Sequence, residues 1–362
     1  MVIRIKSGAS YGARPLRLGF VPLFDCAPLV VAHELGLFQR FGLRVQLSRE
    51  IGWATIRDKV CFGELDGAHA LAPMVFAKVL DLETPRVDCC TGLILNRHGN
   101  AITLSRALWE AVRMAGSLRT VLRERREKLV LGVPFLLSSH HFLARAWLES
   151  QGLVPEQVAQ FVVVPPPQMP GHLKAGHLAG YCVGEPWNSV AVLQRTGCIA
   201  ATSAEVVAMH PEKVLLVRQE FAAGRAEEHI RMIAAILQAC SYCDAAENRE
   251  EILEILSRRE YVNAPIEVLR PSFTGDFSGV EHNIREDFTI FARGDTNEPT
   301  EEKAVWVLQA MRAAGLHKGP AGEDRALARR AFRWDIFEQA VRLQRATEYT
   351  NETNLKNQEA FV

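Results

Sequence analysis

Residues 16–47 read LRLGFVPLFDCAPLVVAHELGLFQRFGLRVQL, and the order of residue types in this stretch decides the fold class. Arg17 to Val21 is a strand-like run. From Pro28 to Phe38, Leu29, Ala32 and Leu35 recur at helical spacing, with Gly36 or Gly42 ending the helix, and Leu43 to Leu47 is a second strand. Two strands joined through a helix make one βαβ unit, the building block of a parallel or mixed sheet with helices on its faces.

Outward from this unit the alternation continues. Trp53 to Cys61 (WATIRDKVC) is the next expected helix, followed by the small-residue segment Asp66 to Ala70 and a helix beginning near Pro73. Leu129 to Val133 reads as a strand leading through Ser138 and Ser139, good N-cap types, into a helix with Leu143, Trp147 and Leu148 on one face. Gly180 to Val183 and Val214 to Val217 are further strands, and Pro186 to Leu193 and Ala226 to Tyr242 are helices. Beyond about Ser257, loops punctuated by Pro265, Pro271, Gly275 and Gly279 give way to helices near Glu301 to Ala314 and Ala326 to Leu343. Thr347 to Val362 is polar and is expected to fray or lie on the surface.

A length of 362 residues suits two domains of ordinary size, and 48% hydrophobic with 23% charged residues excludes disorder. Forty-two basic and 42 acidic side chains cancel, so no global positive field draws the chain to nucleic acid or anionic membrane, and an anion site must be built locally. No run approaches the roughly 18 apolar residues of a membrane span. Met1 to Arg14 is short and polar and does not read as a signal peptide, so a cytoplasmic location is expected. The eight cysteines lack a framework spacing and read as reduced core thiols.

Several segments together resemble the nitrate and bicarbonate receptors of the NrtA and CmpA type, and their cytoplasmic relative of the NasS type. They are Leu16 to Leu43 of the opening stretch, GWATIRDKVCFGELDGAHALAPM (Gly52 to Met74), HGNAIT (His98 to Thr103), SHHFLARAWL (Ser139 to Leu148), GYCVGEPWN (Gly180 to Asn188) and HPEK (His210 to Lys213). The resemblance implies an α/β, two-lobed clamshell like type II periplasmic binding proteins, with a discontinuous first lobe. It places residues 14–103 and 204–346 in lobe 1, 104–203 in lobe 2 and 347–362 in a polar tail, with the crossings near Thr103 and Ser203. Carried over segment by segment, the family's nitrate-contacting positions fall on Trp53, Asn100, His140 and Lys213, and Gly52, Thr55, Glu185 and Trp187 are candidate cleft positions. At Asn100 the family's receptors typically carry Gln, so the amide is kept but shortened by one methylene.

The chemistry of these four residues fits such a ligand. Nitrate is flat, singly charged and only an acceptor; amide, imidazole and ammonium donors beside a flat indole match it. Trp53 and His140 fall at predicted helix starts, where free N–H groups and the helix dipole favour an anion. Lysine at position 213 favours nitrogen oxyanions over bicarbonate, whose proton seeks an acceptor. Without the family, Lys213 reads as an exposed loop lysine just before a strand.

Other readings are weaker. The His140-His141 pair has no further ligand at metal spacing on its helix, Cys240 and Cys243 form a C-x-x-C late in an amphipathic helix, and Cys89-Cys90 reads as core. The basic stretch Arg119 to Lys128 includes Glu124 and Glu127 and reads as a solvated helix face.

The function that the resemblance implies is a non-enzymatic, metal-free cytoplasmic sensor of nitrate or nitrite, with no cofactor beyond the anion. Free of ligand, it would hold an RNA-binding antiterminator of the NasT type inactive. A receptor for a nitrate ABC importer is the alternative, and an iron-dependent enzyme like the thiamin-pyrimidine synthases is the third reading.

Overall fold

The computed structural model describes residues 14–80, 87–123, 125, 127–208, 210–277 and 288–359. The expectations placed on Met1 to Ala13, Glu124, Arg126, Gly279 and Ala360 to Val362 lie outside them.

The strands, in chain order, are β1 (Leu16–Phe20), β2 (Val45–Arg49), β3 (Gly67–Leu71), β4 (Cys89–Cys90), β5 (Ile94–His98), β6 (Asn100–Ser105), β7 (Leu129–Val133), β8 (Ala159–Val163), β9 (Gly180–Gly184), β10 (Gly197–Thr202), β11 (Pro211–Arg218) and β12 (Thr289–Ile290). They form two sheets, β12-β5-β11-β3-β1-β2 with β4 also on β11, and β10-β6-β9-β7-β8. β1 runs parallel to both β2 and β3, as the βαβ reading requires, while β11 is antiparallel to β3 and β5. The chain thus builds most of one lobe, makes the second, and returns with β11 to the middle of the first: the two-lobed α/β architecture expected from the sequence.

The outward crossing differs from the expected one. Thr103 lies inside β6, paired with Tyr181 in the second sheet. The chain changes lobes four to five residues earlier, at His98 and Gly99, whose φ angles of +60° and +87° turn it between β5 and β6. Glycine takes that conformation freely and histidine does not. The return runs from β10, which ends at Thr202, through the short helix Ser203–Val206 to β11.

Apolar faces explain the layers. Leu18, Phe20, Leu29, Phe38, Ile233 and Leu253 belong to a core on one side of the first sheet, joined by Cys240 and Cys243 of the helix Ala226–Asp244, both buried free thiols. Val21, Trp53, Ile56, Leu71, Val214 and Val307 belong to a second core that also takes in Leu137 and Phe142 of the other lobe, so the lobes share apolar contact. Ile102, Leu131, Leu143, Trp147 and Leu148 form the core of the second lobe.

Two more boundaries differ from the sequence reading. The helix expected over 326–343 is two helices, Asp324–Ala331 and Trp334–Glu359, because Phe332 is drawn into an extended bridge with Thr91. The Thr91 N–H donates to the Ala331 carbonyl and the Thr91 carbonyl accepts from the Arg333 N–H, both at 2.8 Å, outcompeting helical continuation. The backbone of 347–359 continues the second helix; the segment opening near Pro73 is 3-10 in kind (Ala72–Leu80).

The helix Ser139–Ser150 is capped by Ser138, whose Oγ accepts from the His141 N–H at 3.2 Å. Ser138→Ala is expected to lower stability by about 1 kcal/mol, read as a reduced urea midpoint at unchanged slope.

Candidate functional site

The facing walls of the two lobes bring a buried polar cluster together, and its centre is Lys213. Within β11, the pairing register to β5 shifts on both sides of Lys213. Such an irregularity re-aims side chains that a regular strand would send to opposite faces. The Lys213 ammonium lies 2.7 Å from Glu212 Oε1 and 2.7 Å from Asp25 Oδ2, and all three side chains are buried. Lys213 is therefore a strand residue at 0% exposure and not a loop lysine. Burial favours its neutral form, but Asp25 and Glu212 outweigh that and raise its pKa.

Asp25 comes from the turn that follows β1. Its Oδ1 accepts from His69 Nε2 at 2.9 Å, and His69 projects from the fully buried strand β3. Burial pushes the Asp25 carboxyl up, yet Lys213 and His69 together hold it well below the usual carboxylate range. The His69 imidazole is lowered, chiefly by burial.

Trp53 begins the helix Trp53–Cys61, with the Lys213 ammonium 5.5 Å from its ring centroid and the His69 ring 5.4 Å away. His140 is the second residue of its helix, with Nε2 3.7 Å from Glu212 Oε1. Burial lowers its pKa to about 4, so the ring is neutral near neutral pH. Asn100 opens β6 opposite Gly184 of β9; a Cβ on Gly184 would lie 3.3 Å from Asn100 Oδ1 and 3.6 Å from Asp25 Oδ2. The four side chains expected to contact a ligand thus converge on one buried region.

Their hydrogen-bonding capacity is unspent. Both side-chain polar atoms of Asn100, both ring nitrogens of His140 and the indole Nε1 of Trp53 are buried without hydrogen-bond partners. Leaving a buried polar group unpaired costs about 1–3 kcal/mol, so several together in one place mark a site shaped for a polar ligand. With the N–H groups of two helix starts added, the set is rich in donors around one ammonium.

The cleft candidates divide. Gly52 and Thr55 line a groove of about 830 Å3 together with Phe135, Leu137 and Pro165 of the other lobe. Glu185 turns away from the cluster: its Oε2 accepts from Ser189 Oγ at 2.6 Å, and burial raises its pKa to about 7. Its carbonyl, however, accepts from the Phe24 N–H at 2.9 Å, tying the lobes, and Trp187 packs against cores of both. His141 also turns away, with Nδ1 2.9 Å from the Leu136 carbonyl.

Sequence reasoning missed Asp25, His69, Glu212 and His210. Asp25 and His69 are single polar residues within apolar or small-residue runs, and a buried charge demands a partner; His210 and Glu212 stand beside Lys213 in HPEK, and the missing step was that this lysine is buried and needs them.

The NMT1-like family model matches residues 10–257. The chain is 38% identical over 335 residues to the nitrate import ATP-binding protein NrtC of Synechocystis sp., covering 90% of this chain and 50% of that protein. It is 34% identical over 305 residues to the nitrate/nitrite binding protein NrtA of Nostoc sp., covering 81% of this chain and 69% of that one. The chain thus spans about half the length of the first of these relatives. The crystal structure of the periplasmic nitrate-binding protein NrtA from Synechocystis superposes with a TM-score of 0.84 at 27% identity, over 91% of this chain and 88% of that one. The chain belongs to the NMT1-like family and, within it, to the NrtA-like nitrate-binding proteins.

Proposed function

We propose that this chain binds nitrate or nitrite between its lobes, as the anion-recognition module of an ABC importer. The observation that carries the reading is the buried Lys213 ammonium surrounded by the unpartnered donors of Trp53, Asn100 and His140. An importer role is favoured over the expected cytoplasmic sensor because relatives are named for import. The sensor shares the pocket and differs in partner. Co-purification of the full chain with a small RNA-binding antiterminator of the NasT type supports the sensor; association with transporter subunits supports the importer.

The ligand is tested by calorimetric titration with nitrate, nitrite, bicarbonate and sulfate. Saturable binding of nitrate or nitrite is expected, and a preference for bicarbonate overturns the assignment. Asn100→Leu should weaken nitrate binding by about ten- to a hundredfold, since a hydrogen bond to a charged group contributes about 1.5–3 kcal/mol. The same substitution should raise the melting temperature of the ligand-free protein, because two unpartnered polar atoms are removed.

A further inference from the structure

The charges of the cluster do not suit an anion as they stand. Asp25 and Glu212 bring two carboxylates to the single ammonium of Lys213, which already lies 2.7 Å from each. A bound monoanion adds a third negative charge, and at an effective dielectric of about 20 two like charges 4 Å apart repel by about 4 kcal/mol. That exceeds the net contribution of an ordinary hydrogen bond. A second positive charge is needed inside the cluster.

The groups facing His140 identify where it forms. From β11 and the residue before it come His210, Glu212 and Lys213; from the turn after β1 comes Asp25. β9 contributes the Cys182 thiol, which faces Glu212 and Lys213. On the short helix Ser203–Val206, the Glu205 carboxylate is turned to Thr202, and on the helix Glu301–Ala313, Lys303 is bonded to the Asp295 and Glu298 carbonyls. His69 already bonds Asp25, and His210 lies 5.3 Å from the His98 ring and stacks on Trp306. His140 and His210 both face Glu212, at 3.7 and 3.6 Å, but His210 Nδ1 lies 3.4 Å from the Pro211 carbonyl, so of His69, His140 and His210 only His140 has neither ring nitrogen hydrogen-bonded.

Resting on the reading of this cluster as an anion site, we propose that nitrate enters together with one proton, taken up by His140, whose imidazolium pairs with Glu212 and donates to the anion. The proton comes from solvent and no covalent bond changes. The ligand-free ring is neutral at pH 7, its pKa being held at about 4 by burial. A bound anion raises that pKa, so affinity falls as pH rises above about 4 until the pKa of the complex is passed.

The test is calorimetry of the full chain with nitrate at pH 7 in buffers of different ionisation enthalpy. Uptake of a clear fraction of a proton per nitrate is expected, with Kd rising by up to about tenfold per pH unit above about pH 5. His140→Gln should bring both uptake and pH dependence near zero. Nitrate binding without proton uptake overturns the inference and leaves the anion-site reading standing, and uptake that persists in His140→Gln overturns the assignment to His140. Failure of the unaltered chain to bind any anion overturns both. If the variant does not bind, the imidazole nitrogen resonances of the unaltered protein decide: an imidazolium pattern arising on nitrate addition supports the proposal, and an unchanged neutral pattern overturns it.

Discussion

Lys213→Met abolishes saturable anion binding and destabilises the protein by about 3–5 kcal/mol, the cost of breaking a buried ion pair and leaving its partners uncompensated. Asp25 and Glu212 would then face each other's charge with the ammonium gone. The two effects separate in a triple variant: adding Asp25→Asn and Glu212→Gln restores much of the stability and none of the binding. Equilibrium urea unfolding reads the first and calorimetry the second. A Lys213→Met protein that binds nitrate as tightly as the parent removes the centre of the site.

Trp53→Ala should cost about 3–5 kcal/mol, as large aromatic-to-alanine changes in cores do. The ring is 1% exposed and packs in the core shared by the two lobes. Trp53→Phe keeps most of that packing and removes the indole donor, so it separates the ligand role from the structural one. Nitrate should change the intrinsic fluorescence of the parent protein, because its charge would arrive beside an indole whose ring centroid is 5.5 Å from the Lys213 ammonium. That signal should vanish in Trp53→Phe. A fluorescence response undiminished in Trp53→Phe places the ligand elsewhere.

The legible parts of the molecule were those governed by short-range rules. The helix Trp53–Cys61 follows Gly52 as expected, and the strand Leu129–Val133 and its Ser138-capped helix follow from local pattern alone. What local pattern could not give was a decision made by distant chain. Lys213 lies in a strand because β11 is pinned between β3 and β5, elements more than a hundred residues earlier. The helix is interrupted at Phe332 because Thr91 bonds the backbone of Ala331 and Arg333 on either side of it. Of the site, the four residues carried by family resemblance converge as a group, whereas nothing local marked Asp25, alone in an apolar run, or Glu212, next to Lys213 in HPEK, as the carboxylates that hold the ammonium. A charge buried by tertiary packing leaves no periodic trace in sequence.

The two crossings between the lobes have a consequence for how such proteins diversify. Arg97 pairs with Pro211 on one side of the junction, and Ala101 pairs with Thr202 on the other. The segment between them is an insertion whose two ends already touch, and its removal would leave a host whose cut ends also touch. A single exchange of the gene segment for residues 100–202 would trade Asn100 and His140 while keeping Asp25, Trp53 and Lys213 in place. One wall of the cluster can therefore be inherited as one block, and the core contacts that have to match across the exchange are those of Leu137, Phe142 and Trp187 with the first lobe.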